Sequence, residues 1–436
     1  MRNRQLIMLL LVPAIPLATW LGLPLLPPLR TLEEPAALLG SRFARSPLPF
    51  ERQEIGPAPR HRPLISHVQI LDFDGDGQSD ILACDVRAQC VVLVSRDNQG
   101  AWQERTLASQ LDAPAHATVI DLDRDGDLDL IISLLGDILP NDDAVGRLFW
   151  YENTPRGFER RVLLDGVRRV ADCQAADFDG DEDLDLAVAV FGYARGQVLW
   201  LENAGGGNFR ERELLSAPGT IHVPVADYDN DGDPDIAAIV SQEEEELWAF
   251  ENNGGGKFTP RRLWYTVNFD IGSAGLVQDD LDQDGDSDLI LPMGDNLEIA
   301  HSFPQSYHGC LWFENRGSWR FAERRIAQFG GTYAAAVADL DGDQDKDVVL
   351  VSMINNWQSA TNASVVWLEN DGRQGFHTWQ IDTHPTHRIT VAVGDLNGDG
   401  RADILTGGMH LVAPFDRLGR LTAWMNRGHR APSAGR

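Results

Sequence analysis

The chain has 436 residues, 43% hydrophobic and 24% charged, and Asp+Glu 66 against Lys+Arg 37 leave a formal net charge of −29. Such an excess of negative charge excludes nucleic acid and anionic membrane surfaces as partners of the folded region. The length suits a single folded domain once a short N-terminal segment is set aside.

The first thirty residues stand apart. Arg2 and Arg4 precede an apolar run from Leu6 to Leu29, followed by Arg30, Glu33 and Glu34. A helix of that length spans a bilayer, with its basic end held inside. No A-x-A cleavage site follows, which favours an uncleaved signal anchor over a removed signal peptide, although Pro13, Pro16 and Pro24 interrupt the run. Residues 31–48 are rich in Pro and Ala and are expected to form a stalk. The protein is therefore expected outside the cytoplasm, in the periplasm or at the cell surface. Its contact with the membrane would run through this segment only, or it would be secreted if cleaved.

From Asp72 onward a nine-residue acidic loop, D-x-D-x-D-G-x-x-D, recurs seven times. The copies begin at Asp72, Asp121, Asp177, Asp227, Asp280, Asp339 and Asp395, at spacings of 49, 56, 50, 53, 59 and 56 residues. One motif per unit of about fifty residues means a stacked or circular array. In the first copy Asp72, Asp74, Asp76 and Asp80 occupy positions 1, 3, 5 and 9, with Gly77 at position 6. Alternate carboxylates in a tight turn converge their oxygens, the carbonyl at position 7 adds one more, and such hard oxygen ligands suit Ca²⁺ over zinc or copper. The loop matches an EF-hand over its first ligands, but its last carboxylate arrives at position 9 and strands flank it.

The remaining ligand sets follow the same spacing. They are Asp121, Asp123, Asp125 and Asp129; Asp177, Asp179, Asp181 and Asp185; Asp227, Asp229, Asp231 and Asp235; Asp280, Asp282, Asp284 and Asp288; Asp339, Asp341, Asp343 and Asp347; and Asp395, Asn397, Asp399 and Asp403. Up to seven calcium ions are expected, which would bring the charge of −29 to −15. Glu182 and Gln344 replace the glycine in the third and sixth copies, where a left-handed backbone would cost about 1–2 kcal/mol. The seventh copy loses a charge at Asn397. These three are expected to bind more weakly.

Each loop sits in the same strand grammar. An alternating strand enters it, as in 222–227, and an apolar strand leaves it, as in 235–240. A third strand ends in an aromatic-Glu-Asn signature, for example Trp200-Leu-Glu-Asn203, and a Gly-rich turn opens a fourth strand headed by an aromatic residue such as Phe209. Four short antiparallel strands per unit describe a propeller blade. The last unit lacks its fourth strand, whereas Phe50–Ile55 resembles the fourth strand at 209–214 and precedes the first loop. The N-terminal strand is thus expected to complete the seventh blade and leave no open edge.

On these motifs residues 49–427 resemble the FG-GAP or VCBS repeats of integrin α-chain propellers and of many bacterial secreted proteins. The resemblance implies an all-β, seven-bladed β-propeller of four-stranded antiparallel blades with calcium on one face. It is preceded here by an N-terminal hydrophobic helix and followed by a disordered tail, 428–436. All seven blades carry the loop, and no leg, lectin or enzyme domain is attached, so the resemblance supplies the fold without the function.

The opposite face is the place for recognition. Five residues before the first aspartate of each loop, four successive blades carry His67, His116, Asp172 and His222, which equal offsets place at one height around the central channel. Three imidazoles and a carboxylate suit a single transition metal or general acid–base work; the alternative is hydrogen-bonded filler. His308, His301, His384, His387, Arg388, Asp137, Asp142, Asp143 and Asp295 belong to the same face. The run Glu243 to Glu246 there reads as a solvated tip.

Two functions remain open. One is a binding module for a glycan or protein ligand; no nucleophile motif, P-loop or dinucleotide fingerprint appears. The other is a metal-dependent carbohydrate-active enzyme of the lyase or dehydratase type. It rests on a weaker similarity of the His-rich face to sugar-active propellers such as the aldos-2-ulose dehydratases. Cys84 and Cys90, across a short hairpin, are expected to be near enough for a disulfide.

Overall fold

In the computed structural model, residues 41–428 are described, apart from 140, 243, 269 and 296–302. The N-terminal helix or anchor, the stalk up to residue 40, Glu243, His301 and the tail from 429 lie outside the described residues. Among those described, no helix is long and apolar enough to cross a membrane.

Residues 41–428 belong to one compact unit, and within it the described strands group into seven antiparallel sheets. Blade 1 runs through Ile65–Leu71, Asp80–Asp85, Cys90–Arg96 and Trp102–Ser109, and blades 2 to 6 repeat the order. In blade 7 the strands Arg388–Gly394, Asp403–Gly408 and Leu421–Asn426 are completed by Phe50–Ile55. Phe50 pairs with Asn426 and Ile55 with Leu421, so the first strand of the chain closes the ring as its sequence predicts.

The alternation of each sheet supplies apolar faces to both neighbours, and the core lies between blades. Ile81 and Val92 of blade 1 pack with Leu405 and Ala423 of blade 7, while Leu82 and Leu93 pack with Leu130 and Ile132 of blade 2. Strand alternation also corrects the disulfide expectation. Cys84 belongs to the blade 1–2 core and Cys90 to the blade 7–1 core, so the two thiols project from opposite faces of one sheet.

The stalk ends earlier than expected. From Ser41 the chain is laid along blade 6: Ala363 N–H donates to the Ser41 carbonyl, Gln380 N–H to Ala44 and Ser46 N–H to Gln380, at 2.7–2.8 Å. Trp367 Nε1 donates to Ser46 Oγ at 2.9 Å, and Leu48 is buried in the blade 6–7 core. Residues 41–48 are part of the domain.

Candidate functional sites: the acidic loops and the channel

The seven loops share one hydrogen-bond plan. The N–H at position 6 donates to the position-1 carboxylate at 2.7–3.1 Å. The N–H at position 2 donates to the position-9 carboxylate at 2.9–3.2 Å. The aromatic-Glu-Asn signature, which the sequence offers only as punctuation, completes the plan. The N–H of Asn153, Asn203, Asn252, Asn315, Asn370 and Asn426 donates to the other oxygen of the same aspartate at 2.7–2.9 Å.

Backbone strain is distributed more evenly than the glycine pattern suggests. Position 6 is left-handed throughout, including Glu182 (φ 74°) and Gln344 (φ 80°), as expected. Position 4 is left-handed too, at Arg124, Asn230 and Gln283 in three of the four copies with an intact motif and at Gly75 in the first. The copies with Glu182 and Gln344 have Gly180 and Gly342 there, so no loop holds two non-glycine residues in this conformation. Strain therefore does not single out the third and sixth copies.

The residues present fit a hard divalent cation. In four copies carboxylate oxygens from positions 1, 3 and 9 lie within 4.8 Å of one another, as do those of Asp177, Asp179 and Asp181. The position-9 carboxyls are buried, and burial raises all seven: Asp185 to about 6, Asp235 and Asp288 to about 7, Asp347 to about 8. Asp229 Oδ1 and Asp282 Oδ1 are buried without a hydrogen-bond partner. Buried, mutually repelling carboxylates with vacant acceptor oxygens are stabilised by a cation.

At the other end of the inner strands the four predicted residues meet. Six inner strands carry a register shift at the same place, which falls just before His67, His116, Asp172 and His222, and before Ala334 and Thr390 in blades 6 and 7. Bulges re-aim side chains, and these turn one tier of residues into the channel. Asp172 sits between two imidazoles, its Oδ1 3.3 Å from His116 Nδ1 and its Oδ2 3.5 Å from His222 Nδ1. His67 packs on His116 with ring centroids 4.0 Å apart.

Backbone donors hold the carboxylate in place. Cys173 N–H and Val223 N–H donate to Asp172 at 2.8 and 3.0 Å, and Gln174 Nε2 adds a third bond at 3.0 Å. Burial opposes ionisation of Asp172, but His116, His222 and the Val223 N–H outweigh it and hold the carboxyl well below its usual range. Burial keeps His67 and His116 below the usual imidazole value, so both are neutral near pH 7.

All four line a central cavity of about 870 Å³. Glu245 and Asp295 line it as well. Glu245 is only 1% exposed, which corrects the solvated-tip reading. Its carboxylate accepts from Gly272 N–H and Ser273 N–H at 2.9 and 3.0 Å and from Ser273 Oγ, and burial raises it to about 7. One buried member in an acidic run carries no sequence signal, because only the strand register sets which glutamate turns inward. Arg169 donates to the carbonyls of Asp137 and Ile138 at 3.0 and 3.1 Å, tying the blade 2 loop beside the cavity.

The other candidates lie elsewhere. His308 does not line the cavity; it is buried, its Nδ1 accepting from Gln305 N–H and Gly331 N–H at 3.2 and 2.9 Å, and burial lowers it to about 4. His387 and Arg388 are buried with His410 beneath the blade 7 loop, where Arg388 Nη2 donates to the Gly419 carbonyl at 2.6 Å. Asp142 accepts from Ala194 N–H at 2.9 Å, a loop contact.

Fold and loops together define a seven-bladed β-propeller with one acidic motif per blade. The FG-GAP-like repeat matches at residues 72–132, 177–238, 227–291 and 349–406, more than half of the chain, and the protein belongs to that family. No curated protein matches the sequence significantly. Among solved structures it is similar to a streptogramin B lyase (13% identity, TM-score 0.51, covering 86% of this chain and 98% of that one). It is also similar to the rhamnogalacturonan lyase YesW (15%, 0.45, 87% and 75%) and to the V. cholerae biofilm matrix protein Bap1 (12%, 0.41, 89% and 91%). At these identities the likeness is one of fold.

Proposed function

We propose that the protein is an exported, calcium-stabilised propeller that captures a glycan in its central channel, on the face opposite the acidic loops. The observation that carries this reading is the convergence of His67, His116, Asp172 and His222 on one cavity of about 870 Å³. That volume suits a small molecule or the end of an oligosaccharide better than a protein surface. Calcium is supported by the donor set of the loops, and export by the basic and apolar pattern of residues 1–30.

A second reading, a metal-dependent carbohydrate-active enzyme, is favoured by Asp172. A carboxylate that engages one imidazole nitrogen orients the other, which is how proteins set metal-ligating histidines. Glu245, raised to about 7 in the same cavity, has the proton affinity of a general acid or base.

Metal analysis and glycan-array binding of the purified 41–436 fragment, alone and as the His116→Ala/His222→Ala variant, separate the two. Calcium alone with histidine-dependent glycan binding supports the module. About one equivalent of zinc, manganese or iron that disappears in the variant while calcium stays supports the enzyme. A chain with neither histidine-dependent glycan binding nor a transition metal would sink both.

A further inference from the structure

The two halves of the channel differ, and the difference narrows the ligand. At the tier of the cluster, blades 1 to 4 present His67, His116, Asp172 and His222, whereas blades 5 to 7 present Gly275, Ala334 and Thr390. Above and below that tier the second half is walled by Leu276, Val277, Ile389, Val391 and Met409 together with Gln278, Asp295 and Tyr333, and the first half carries apolar residues too, Val68 and Ile221 among them. Outward of the channel the apolar character is spread around the ring and is not confined to one half. Nine of the ten exposed large hydrophobics among the described residues lie in or beside the loops of this face, and Leu139 and Val412, 63% and 41% exposed, line the cavity itself.

The polar half has a defined donor and acceptor pattern. His116 and His222 both turn Nδ1 to the Asp172 carboxylate, which only accepts, so both carry a proton on Nδ1, and the neutral His116 ring leaves Nε2 as an acceptor. His67 Nδ1 accepts from Ala117 N–H at 3.4 Å, which leaves its proton on Nε2 as a donor. Among the described residues Asp172, Asp270, Asp295 and the partly protonated Glu245 line the same cavity, and Arg169 is the one arginine or lysine there. Acceptors predominate and the field is negative, so an anionic head is repelled and a hydroxyl-rich one is matched.

We propose that the channel takes an amphipathic small molecule, with a hydroxyl-rich, sugar-like head against His67, His116 and His222 and an apolar body along Val277, Ile389, Val391 and Met409. This rests on the channel reading above and names the ligand class for it. A free sugar would leave the apolar wall wet. A glycoside with an apolar aglycone covers both halves.

Isothermal titration of the 41–436 fragment with glucose, butyl, hexyl and octyl glucoside below their micelle concentrations, and with octanoate, tests it. Affinity is expected to rise about fourfold per methylene along the series, with octanoate at least ten times weaker than octyl glucoside. The isosteric Val277→Thr/Val391→Thr variant should flatten the rise, and its calcium-dependent melting reports that it folds. Histidine-dependent binding equal for butyl and octyl glucoside, or equally strong for octanoate, overturns the inference and leaves the channel reading standing. No binding of any glycoside that depends on His116 and His222 overturns both.

Discussion

The backbone N–H of Asn315 donates to Asp288 Oδ1 at 2.7 Å, tying the third strand of blade 5 to that blade's acidic loop. The Asn315 amide then reaches the carbonyl of Tyr228 in the loop of blade 4 at 2.8 Å. Asn252 and Asn426 make the same bridge to Phe178 and Leu340. The signature asparagine therefore joins loop to strand and blade to blade. Replacing Asn315 with Ala leaves buried carbonyls without a donor and should cost about 1–3 kcal/mol in urea unfolding. Asn153, whose amide reaches only Leu128 O of its own blade, should cost less on the same change; equal costs would remove the inter-blade role.

Because the loops bring carboxylates together only in the folded ring, chelation should lower the melting temperature and added calcium should raise it by linkage. The titration should fall near ~0.1–1 mM, the range of extracellular calcium modules. A melting curve indifferent to EGTA would end the calcium assignment.

Gly180 at φ 76° shares its loop with Glu182 at φ 74°. Gly180→Ala would put two side-chain-bearing residues in the left-handed region of one loop, at about 1–2 kcal/mol. A Cβ at Gly180 meets nothing within 4 Å, so the conformation alone is tested. The variant should bind one calcium ion fewer, or one ion more weakly, with the rest of the titration unchanged.

Deleting residues 49–56 removes the strand that pairs Phe50–Ile55 with Leu421–Asn426 and exposes sheet edges. Aggregation is expected by light scattering, whereas deleting residues 1–40 should leave a monodisperse domain. A soluble, equally stable 49–56 deletion would show that closure does not depend on this strand.

The buried Glu245 carboxyl is raised to about 7 from its usual 4.5. A carboxyl raised on folding favours the folded state most below its unfolded value, and that advantage is lost as pH rises through about 7. With calcium saturating, the stability of the native chain relative to Glu245→Gln should therefore fall between pH 4.5 and 7, by roughly 1–3 kcal/mol. A difference that rises with pH would mean that Glu245 is held ionised.

Local chemistry decided what the sequence alone determines here. A loop of alternating aspartates closes on itself within nine residues, so its seven copies, the blade count and the closing strand at Phe50–Ile55 are legible without any long-range information. Equal offsets along equivalent strands likewise place His67, His116, Asp172 and His222 at one height. The ring decided the rest, because those features depend on which face of a sheet meets which neighbour. A bulge turns that tier into the channel, Cys84 and Cys90 part to opposite cores, and Glu245 goes inward from a run of identical residues. Val277 and Ile389 share a cavity with the histidines only because a closed circle brings residues some two hundred positions apart together.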